Sequence, residues 1–447
     1  MKSRTNILKE KESKAIMQLS LPMMYGFLSV VGVSLVDAFF IGKLGTHALA
    51  AFGFIFPLIM FFNGIILGVA NGASALSARA FGAGDIKSVR RLTTDAIMLG
   101  ICITFILSII TYLFDDLIFT SLGAPPEILI LIKEYVHIWL LGSIFVVFPM
   151  IGNNAMTAIG NTKSAANVML LVLLFNTIFD PIFIFGLGPI PALGFRGAAV
   201  ATIASRIFIV IIALYILIKK DKIIDLSLPK IKDVLNSWKD ILYIGLPNAL
   251  TNIILPLGFS IITHLASYYG KEAVAALSVA ERIESLALTV MMSFAVAMSP
   301  FIGQNLGAKQ FGRIKTGLRK SIQYSTYWGA FLFLVLFFFS DKLILIFNND
   351  PIVIQHFRSY FNFLPFSYPF LGYIFVTGVT LNVFKKPFHS AILTLTRVFI
   401  VYIPLAYLFT SLMQVDGIFL ASMLANIITS IFGFYLLKKY RKKIIGE

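Results

Sequence analysis

The sequence predicts an all-α integral membrane protein. We expect twelve transmembrane helices in two six-helix bundles, related by a pseudo-two-fold axis along the membrane normal, with a central cleft between the lobes. Composition, a series of long apolar segments and an internal repeat support this prediction. Of 447 residues, 58% are hydrophobic and only 13% are charged, and the mean hydropathy is +0.89. Soluble proteins of ordinary classes are not this apolar.

Each apolar segment of about 20 residues or more is long enough to cross the hydrocarbon core as a helix. No segment shows sustained period-two alternation, and most are too long for the strands of a membrane barrel. The first span follows a basic N-terminus without a small-residue cleavage site, so we expect it to be retained. The predicted spans cover residues 16–41, 48–78, 92–114, 128–158, 165–187, 197–218, 241–266, 273–303, 318–340, 357–384, 389–410 and 416–438.

The basic residues are concentrated on one side of the predicted membrane. Most of the 37 Lys and Arg residues lie in the N-terminus, the C-terminal KKYRKK and the alternate connections that share their side. This positive-inside pattern predicts a multi-pass protein of the inner (cytoplasmic) membrane with both termini cytoplasmic. Nucleic-acid binding would not produce the alternation, so the net charge of +16 does not predict a nucleic-acid partner. The lipid bilayer is the expected partner.

The two halves of the chain are repeats of each other. A shift of 225 residues aligns them without a gap over the first two spans of each half. Because each half has an even number of spans, both have the same orientation, which suits alternating access. We therefore predict an N-terminal lobe at 1–218 with a cation-coupling site, a cytoplasmic linker at 219–240 and a C-terminal lobe at 241–447. The aligned residues include Leu21 with Leu246, Pro22 with Pro247, Gly45 with Gly270, Ser74 with Ser299 and Gly82 with Gly307.

The stretch NTIFDPIFIF places an aspartate inside an apolar span. Asn176 and Asp180 are four residues apart, so they share one face of a helix. Pro181 has no N–H and frees the carbonyl of Thr177 from its helical hydrogen bond. A charged side chain in mid-membrane costs at least about 2.5–3.5 kcal/mol by insertion scales. A function is therefore favoured for this aspartate over a structural contact between helices.

Similar short polar patches occur in the first and fourth spans. Asp37 lies in the first, and Asn153 and Asn154 lie in the fourth. Carboxylates, amides and a spare carbonyl form an oxygen-only cluster, which can hold a proton or a sodium ion. Function is again favoured for Asp37. For Asn153, Asn154 and Asn176 a coupling role and simple helix–helix hydrogen bonding are equally good interpretations.

The repeat offers an internal comparison for these residues. The 225-residue shift places Ile262 opposite Asp37, and a shift of 223 residues places Ile403 opposite Asp180. A structural requirement of the fold would tend to appear in both halves. We therefore expect the functional polar residues to lie in the N-terminal half only.

Other intramembrane residues are weaker candidates. Met60 and Met169 could line a substrate cavity, since flexible thioethers suit promiscuous binding, although ordinary packing is the alternative. The adjacent Glu281 and Arg282 predict either an ion pair between helices or a cavity lining, with coupling less favoured. Two further arginines within spans are expected to snorkel or to bind backbone carbonyls; these are Arg206 and Arg397.

Several motifs together resemble the multidrug and toxic compound extrusion family, in its DinF-like branch. The resemblance covers almost the whole chain, and two departures from the family pattern stand out. Thr157 occupies a position where the family often has an arginine, and the seventh span lacks the buried glutamate of the NorM-like branch. The motifs are LPMMYGFLSVVGVSLVDAFFIGKLGTHALAAF, GASALSARAFGAGD, NNAMTAIGNTK, NTIFDP, RGAAVAT and PFIGQNLGAKQ.

The resemblance implies roles for individual residues. The coupling residues would be Asp37, Asn153, Asn176 and Asp180, with Thr202 as a further ligand. Asn154, Met60, Met169 and Asp37 would contribute to the substrate cavity. Pro22 and Pro181 would be hinges. If sodium is the coupling ion, its ligands would come from Asp37, Asp180 and Asn176.

These observations predict a secondary active exporter rather than an enzyme. It would move amphipathic organic compounds, cationic ones favoured, out of the cell in exchange for H+ or Na+, as a monomer and without a cofactor beyond the coupling ion. A flippase for lipid-linked oligosaccharides is the nearer alternative, but the chain has few intramembrane cations for a pyrophosphate. An intramembrane enzyme or a channel is the farther one, because no nucleophile–base pair or metal-ligand set is visible.

Overall fold

The computed structural model describes residues 5–225, 227, 230–345 and 350–446. In this part of the chain the regular secondary structure is helical, and the helices are joined by turns and loops that include one isolated bridge between Leu187 and Ile190. Three residues of the predicted linker, Leu226, Leu228 and Pro229, lie outside it. The helices are α1 Glu12–Gly42, α2 Thr46–Gly82, α3 Ile86–Leu113, α4 Asp115–Ser121, α5 Pro126–Gly142, α6 Ile144–Ala158, α7 Thr162–Phe185, α8 Phe195–Tyr215, α9 Ile231–Ser267, α10 Lys271–Gly307, α11 Phe311–Ile344, α12 Pro351–Phe363, α13 Tyr368–Val383, α14 Pro387–Leu395, α15 Ile403–Met413 and α16 Val415–Ile445.

The predicted number of spans is confirmed, with one span built differently from the prediction. In the described chain, 11 helical segments are long and apolar enough to cross a membrane, and the pair α5 and α6 supplies the twelfth span with a bend of 53°. The prediction of one continuous helix over 128–158 was therefore wrong. The break lies at Ser143, whose hydroxyl donates to the carbonyl of Leu140 at 2.7 Å. Hydroxyls that bond back to a carbonyl one turn earlier commonly bend helices.

The described chain packs as two compact units. Unit 1 comprises Thr5 and Leu21–Ala249, and unit 2 comprises Asn6–Ser20 and the chain from Leu250 onward. The division therefore falls inside α1 and inside α9. The predicted lobes and the linker at 219–240 stay predictions; α9 begins at Ile231, within that segment.

Small residues bring α9 close to α2 within unit 1. A Cβ added to Gly68 would lie 2.6 Å from both the carbonyl oxygen of Gly245 and the Cβ of Ala249. Close backbone approach at small residues is a common way for helices to associate in membranes. Near the start of α9, the indole N–H of Trp238 donates to the carbonyl of Asp95 at 2.9 Å. The first half of α9 is thus an integral part of unit 1.

An arginine of α11 holds the start of the chain within unit 2. The guanidinium of Arg313 donates to the carbonyl oxygens of Ile7 at 2.9 Å and Glu10 at 2.5 Å. It also pairs with the carboxylate of Glu12 at 3.2 Å and donates to the side chain of Asn305 at 3.1 Å. Its planar, five-donor head can satisfy all these acceptors at once.

The start of α3 is fixed by a side-chain cap. The carboxylate of Asp85 accepts hydrogen bonds from the backbone N–H of Ser88 at 2.9 Å and from its hydroxyl at 2.5 Å. These bonds favour the ionised form and lower the pKa of Asp85 below its usual value of 3.8. The cap satisfies an N–H that the first turn would otherwise leave unpaired.

Candidate cation-coupling site

The aspartate of NTIFDPIFIF is fully buried in α7. Asp180 has 0% of its surface exposed and Asn176 has 1%. The amide nitrogen of Asn176 donates to one carboxyl oxygen of Asp180 at 3.2 Å, as the four-residue spacing predicts. The helix continues through Pro181 to Phe185.

Asp37 of α1 joins this pair. Its side chain lies close to the side chains of both Asp180 and Asn176. Two carboxyl groups in contact inside a membrane cannot both stay ionised without a cation between them. The structure therefore brings Asp37, Asn176 and Asp180 together, three of the residues that the sequence selects.

Small residues allow α1 to approach α7 closely enough for this contact. A Cβ added to Gly26 would meet the sulfur of Met169 at 2.9 Å and the Cα and Cβ of Ala166 at 3.2 Å. One turn and a half later, a Cβ added to Gly32 would meet Leu173 at 3.0 Å. Glycine at these positions sets the position of the α1 backbone against α7.

Three of the residues selected from the sequence have a buried side-chain oxygen that accepts no hydrogen bond from the described residues. One side-chain oxygen each of Asn153, Asn176 and Asp180 is buried without a hydrogen-bond partner in the described chain. Orphaned buried acceptors are costly and call for a missing partner. An oxygen-only set suits a proton, and it also suits Na+ with Asp37, Asp180 and Asn176 as ligands.

Two residues that sequence reasoning did not assign belong to the same cluster. Tyr135 of α5 is 2% exposed and lies close to Asp37, Asp180 and Thr202. Arg206 of α8 lies near Asp37 and Tyr135, and its Nε is buried without a hydrogen-bond partner. The expectation that Arg206 snorkels or binds backbone stays a prediction. Its position one turn after Thr202, on the same helix face, was the available signal.

The remaining predicted residues lie outside this set of contacts. Asn153 is buried but forms no hydrogen bond to the aspartates in the described chain. The amide of Asn154 donates to the carbonyl of Met150 at 3.1 Å, within its own helix. Met60 is 39% exposed, and Met169 packs against Gly26. Their assignment to a substrate cavity stays a prediction.

The predicted hinge in the first span lies in an unbroken helix. α1 continues through Pro22, and the hydroxyl of Ser20 donates to the carbonyl of Ile16 at 2.8 Å just before it. The division between the two compact units falls between Ser20 and Leu21. The hinge roles of Pro22 and Pro181 stay predictions.

Unit 2 contains a buried polar cluster of its own, and the expectation that the functional polar residues lie in the N-terminal half only stays a prediction. The hydroxyl of Tyr360 donates to the carboxyl of Glu284 at 2.5 Å. Arg397 lies nearby and donates to the side chain of Asn426 at 3.2 Å, so it does not snorkel. Arg282 is exposed and forms no ion pair among the described residues, so the ion-pair interpretation of Glu281 and Arg282 was wrong.

Comparison with known proteins identifies the family. The MatE family model matches residues 22–182 and again residues 247–408, once in each predicted half. The chain belongs to the MATE family. MATE proteins are transporters and not enzymes, which confirms the resemblance, the twelve-helix, two-lobe fold class and the expectation that this chain is not an enzyme.

MATE relatives of several kinds align over most of the chain. A FAD transporter of Shewanella oneidensis is 34% identical over 98% of this chain and 97% of its own length. A probable multidrug resistance protein NorM of Thermotoga maritima is 28% identical over 76% of this chain and 74% of its own. The crystal structure of the Vibrio cholerae MATE transporter VcmN in the bent form matches with a TM-score of 0.91 and 27% identity, covering 97% of each chain.

Proposed function

We propose that this MATE transporter is a secondary active exporter in the inner membrane, with both termini cytoplasmic, that exchanges amphipathic organic compounds for inward-moving protons. The contact between Asp37 and Asp180 carries the proposal. These carboxyls, with Asn176 beside them, form a buried group that needs a positive partner, and a proton supplies it.

Proton binding at this site would be coupled to substrate release. An exporter must bind the ion and the organic compound alternately, so each weakens the binding of the other by the same factor. Arg206 lies near Asp37 and is a cationic neighbour at this site. A proton released from the pair would thus leave a carboxylate that already has a cationic neighbour.

Inverted membrane vesicles test this proposal directly. Vesicles with an acidic lumen should take up a fluorescent cationic dye, because protons leave the lumen as dye enters it. The uptake should fall to the background of protein-free vesicles in Asp180→Asn and in Asp37→Asn, which keep size and polarity but cannot ionise. Asp233→Asn, at an exposed cytoplasmic position, is the matched control and should transport normally.

The same vesicles show whether H+ or Na+ is the coupling ion. If only an imposed sodium gradient drives uptake, the coupling ion is Na+, with Asp37, Asp180 and Asn176 as its proposed ligands. Normal proton-driven uptake in either aspartate variant would show that the cluster is structural and would refute the coupling role.

Export of flavin adenine dinucleotide (FAD) is a second candidate function. The full-length match to the Shewanella FAD transporter, at 34% identity, favours it. Vesicles carrying this protein should then accumulate FAD under the same gradient, and unlabelled FAD should compete with the dye. If excess FAD does not change dye uptake and the vesicles accumulate no FAD, FAD export is refuted and multidrug export remains the proposed activity.

A further inference from the structure

Charged side chains gather in unit 1 at the level where α3 ends and α8 begins. α3 ends at Leu113, and α8 begins at Phe195. Three spanning helices run between the N-terminus and this end of α3, so the level lies on the side of the membrane opposite the N-terminus. The ring of Tyr112, which is 58% exposed, lies 4.9 Å from the ring of His137. Exposed tyrosines are typical of the boundary between hydrocarbon and water. These charges therefore lie at the level of the lipid headgroups.

Two acids at the start of α4 bind two bases of α5. The ammonium of Lys133 donates to the carboxylate of Asp116 at 2.7 Å and lies 3.8 Å from the carboxylate of Asp115. The Nε2 of His137 is 2.7 Å from the carboxylate of Asp115. Asp115 is 7% exposed, whereas the side chain of Lys133 is 33% exposed. The contacts fix one side of α5 against the start of α4 and leave Lys133 within reach of a ligand.

A third ion pair joins α5 to the start of α8 beside an open pocket. The guanidinium of Arg196 donates to Oε1 of Glu134 at 2.6 Å, and the side chain of Arg196 is 57% exposed. The pocket has a volume of about 420 Å³, which is within the usual size of small-molecule sites. It is lined by Ile130, Lys133, Glu134, His137, Ile138 and Arg196.

Both signs of charge in this pocket have unused hydrogen-bonding capacity. A guanidinium has five N–H donors and an ammonium has three. Within the described chain, one N–H of Arg196 and one N–H of Lys133 are used in hydrogen bonds. The second carboxyl oxygen of Glu134, Oε2, accepts no hydrogen bond from the described residues. The pocket therefore offers donors from two cations and an acceptor from one anion within a single opening.

The face of α5 that continues from the pocket towards the membrane interior is apolar. Ile138 lies next to His137, and Leu141, about one turn further, is 82% exposed. Residues three or four apart share one face of a helix. Exposed apolar side chains of a spanning helix lie against acyl chains. The pocket thus opens at the level where a lipid headgroup joins its acyl chains.

We propose that this pocket binds the headgroup of one zwitterionic phospholipid with a primary amine, phosphatidylethanolamine, from the leaflet opposite the N-terminus. The lipid phosphate accepts hydrogen bonds from Arg196 and Lys133, and the lipid ammonium donates to Oε2 of Glu134. Arginine suits this role because its parallel N–H groups match two phosphate oxygens. The acyl chains follow Ile138 and Leu141. The binding does not rest on the proposed function, since it involves neither the coupling ion nor the exported compound.

The charges of the pocket select this headgroup over two others. In the ion pairs described above, three carboxyls face two fixed cations and one histidine. An anionic headgroup such as phosphatidylglycerol therefore finds no excess of positive charge, and complementarity of charge governs such recognition. Phosphatidylcholine has the same net charge as phosphatidylethanolamine, but its quaternary ammonium has no N–H to donate. Only the primary amine satisfies both halves of the pocket.

Native mass spectrometry of the full chain in detergent tests the proposal. The protein is mixed with phosphatidylethanolamine, its N-methyl and N,N-dimethyl derivatives and phosphatidylcholine, all with the same acyl chains, and lipid-bound species are counted. Each methyl group removes one N–H donor at constant charge. Binding should persist while an N–H remains and should fall about tenfold at phosphatidylcholine, which is the size of one charge-assisted hydrogen bond.

Two variants separate the two halves of the headgroup. Glu134→Gln removes the carboxylate at nearly constant size, so it should bind all four lipids equally. Arg196→Gln should weaken the binding of all four alike, because the phosphate is common to them. Glu272→Gln is the matched control, since Glu272 pairs with the exposed Lys271 of unit 2 at 3.9 Å. The control should show the wild-type preference.

The outcomes that would overturn the proposal are distinct. Equal binding of phosphatidylethanolamine and phosphatidylcholine by the wild type is one, and tighter binding of phosphatidylglycerol than of phosphatidylethanolamine is another. A preference that survives in Glu134→Gln would refute this pocket as the site of the amine. If Glu134→Gln does not fold, Ile138→Trp fills the pocket instead and should lower the binding of all four lipids, and unchanged binding there would also refute the site.

Discussion

Adding one methyl group at Gly68 should separate two helices of unit 1. The Cβ of Gly68→Ala would lie 2.6 Å from the backbone oxygen of Gly245 and from the Cβ of Ala249. Ordinary contact begins at 3.4 Å, so α9 has to move by about 0.8 Å, and overpacking of this kind typically costs about 1–3 kcal/mol. Alanine recovers roughly 0.5–1 kcal/mol of helix propensity. A net loss of about 1–2 kcal/mol is expected, or roughly 2–8 °C in Tm for a unit of this size.

Thermal unfolding in detergent, followed by tryptophan fluorescence, measures this loss, since Trp238 lies on α9 itself. Gly53→Ala on the same helix is the matched control, because nothing lies within 4 Å of its added Cβ. The control should unfold at or slightly above the wild-type temperature. If Gly68→Ala proves as stable as Gly53→Ala, the α2–α9 backbone contact does not contribute to stability and the reasoning is wrong.

Two further predictions concern Arg313 and Asp85. Arg313→Gln should speed tryptic cleavage at Lys9 or Lys11, because the side chain that binds the backbone of residues 6–12 is lost, and equal cleavage rates on a gel would contradict this role. Asp85→Ala should cost about 1 kcal/mol at neutral pH. Since the folded pKa of Asp85 lies below 3.8, its stabilisation is present above that pH and disappears as the pH falls through the lowered value. Thermal scans should therefore show the variant converging with wild type in acid, and a constant difference would refute the cap's ionic role.

The spans could be predicted because their signal is local. Length and apolar composition decide whether a segment crosses the bilayer, and the basic connections follow the same rule throughout. The bend at Ser143 could not be predicted from the sequence. It depends on a hydrogen bond from the Ser143 hydroxyl to Leu140 and on the close approach of Ile203 to Gly142. The division inside α1 and α9 was equally hidden, because it depends on which distant residues those helix ends contact.

The candidate site divides in the same way. Asn176 and Asp180 were readable from a one-turn spacing in an apolar helix, and Asp37 from its own unusual position. Tyr135 was not, because tyrosine is common in spans and only tertiary contact places it beside Asp37. Glu284 is an acid in an apolar helix, but the 225-residue shift places it opposite the apolar Ile59, so the positions that align with the N-terminal polar residues do not reveal it.

The pairing of Arg313 with the start of the chain sets an order of events during synthesis. Ile7 and its arginine partner are separated by 306 residues. At a translation rate of about 5–20 residues per second, the arginine emerges roughly 15–60 s after the segment that it binds. Residues 7–10 can therefore reach these native contacts only after α11 has been made. The two sides of this contact are separated by most of the chain in sequence, although both belong to unit 2.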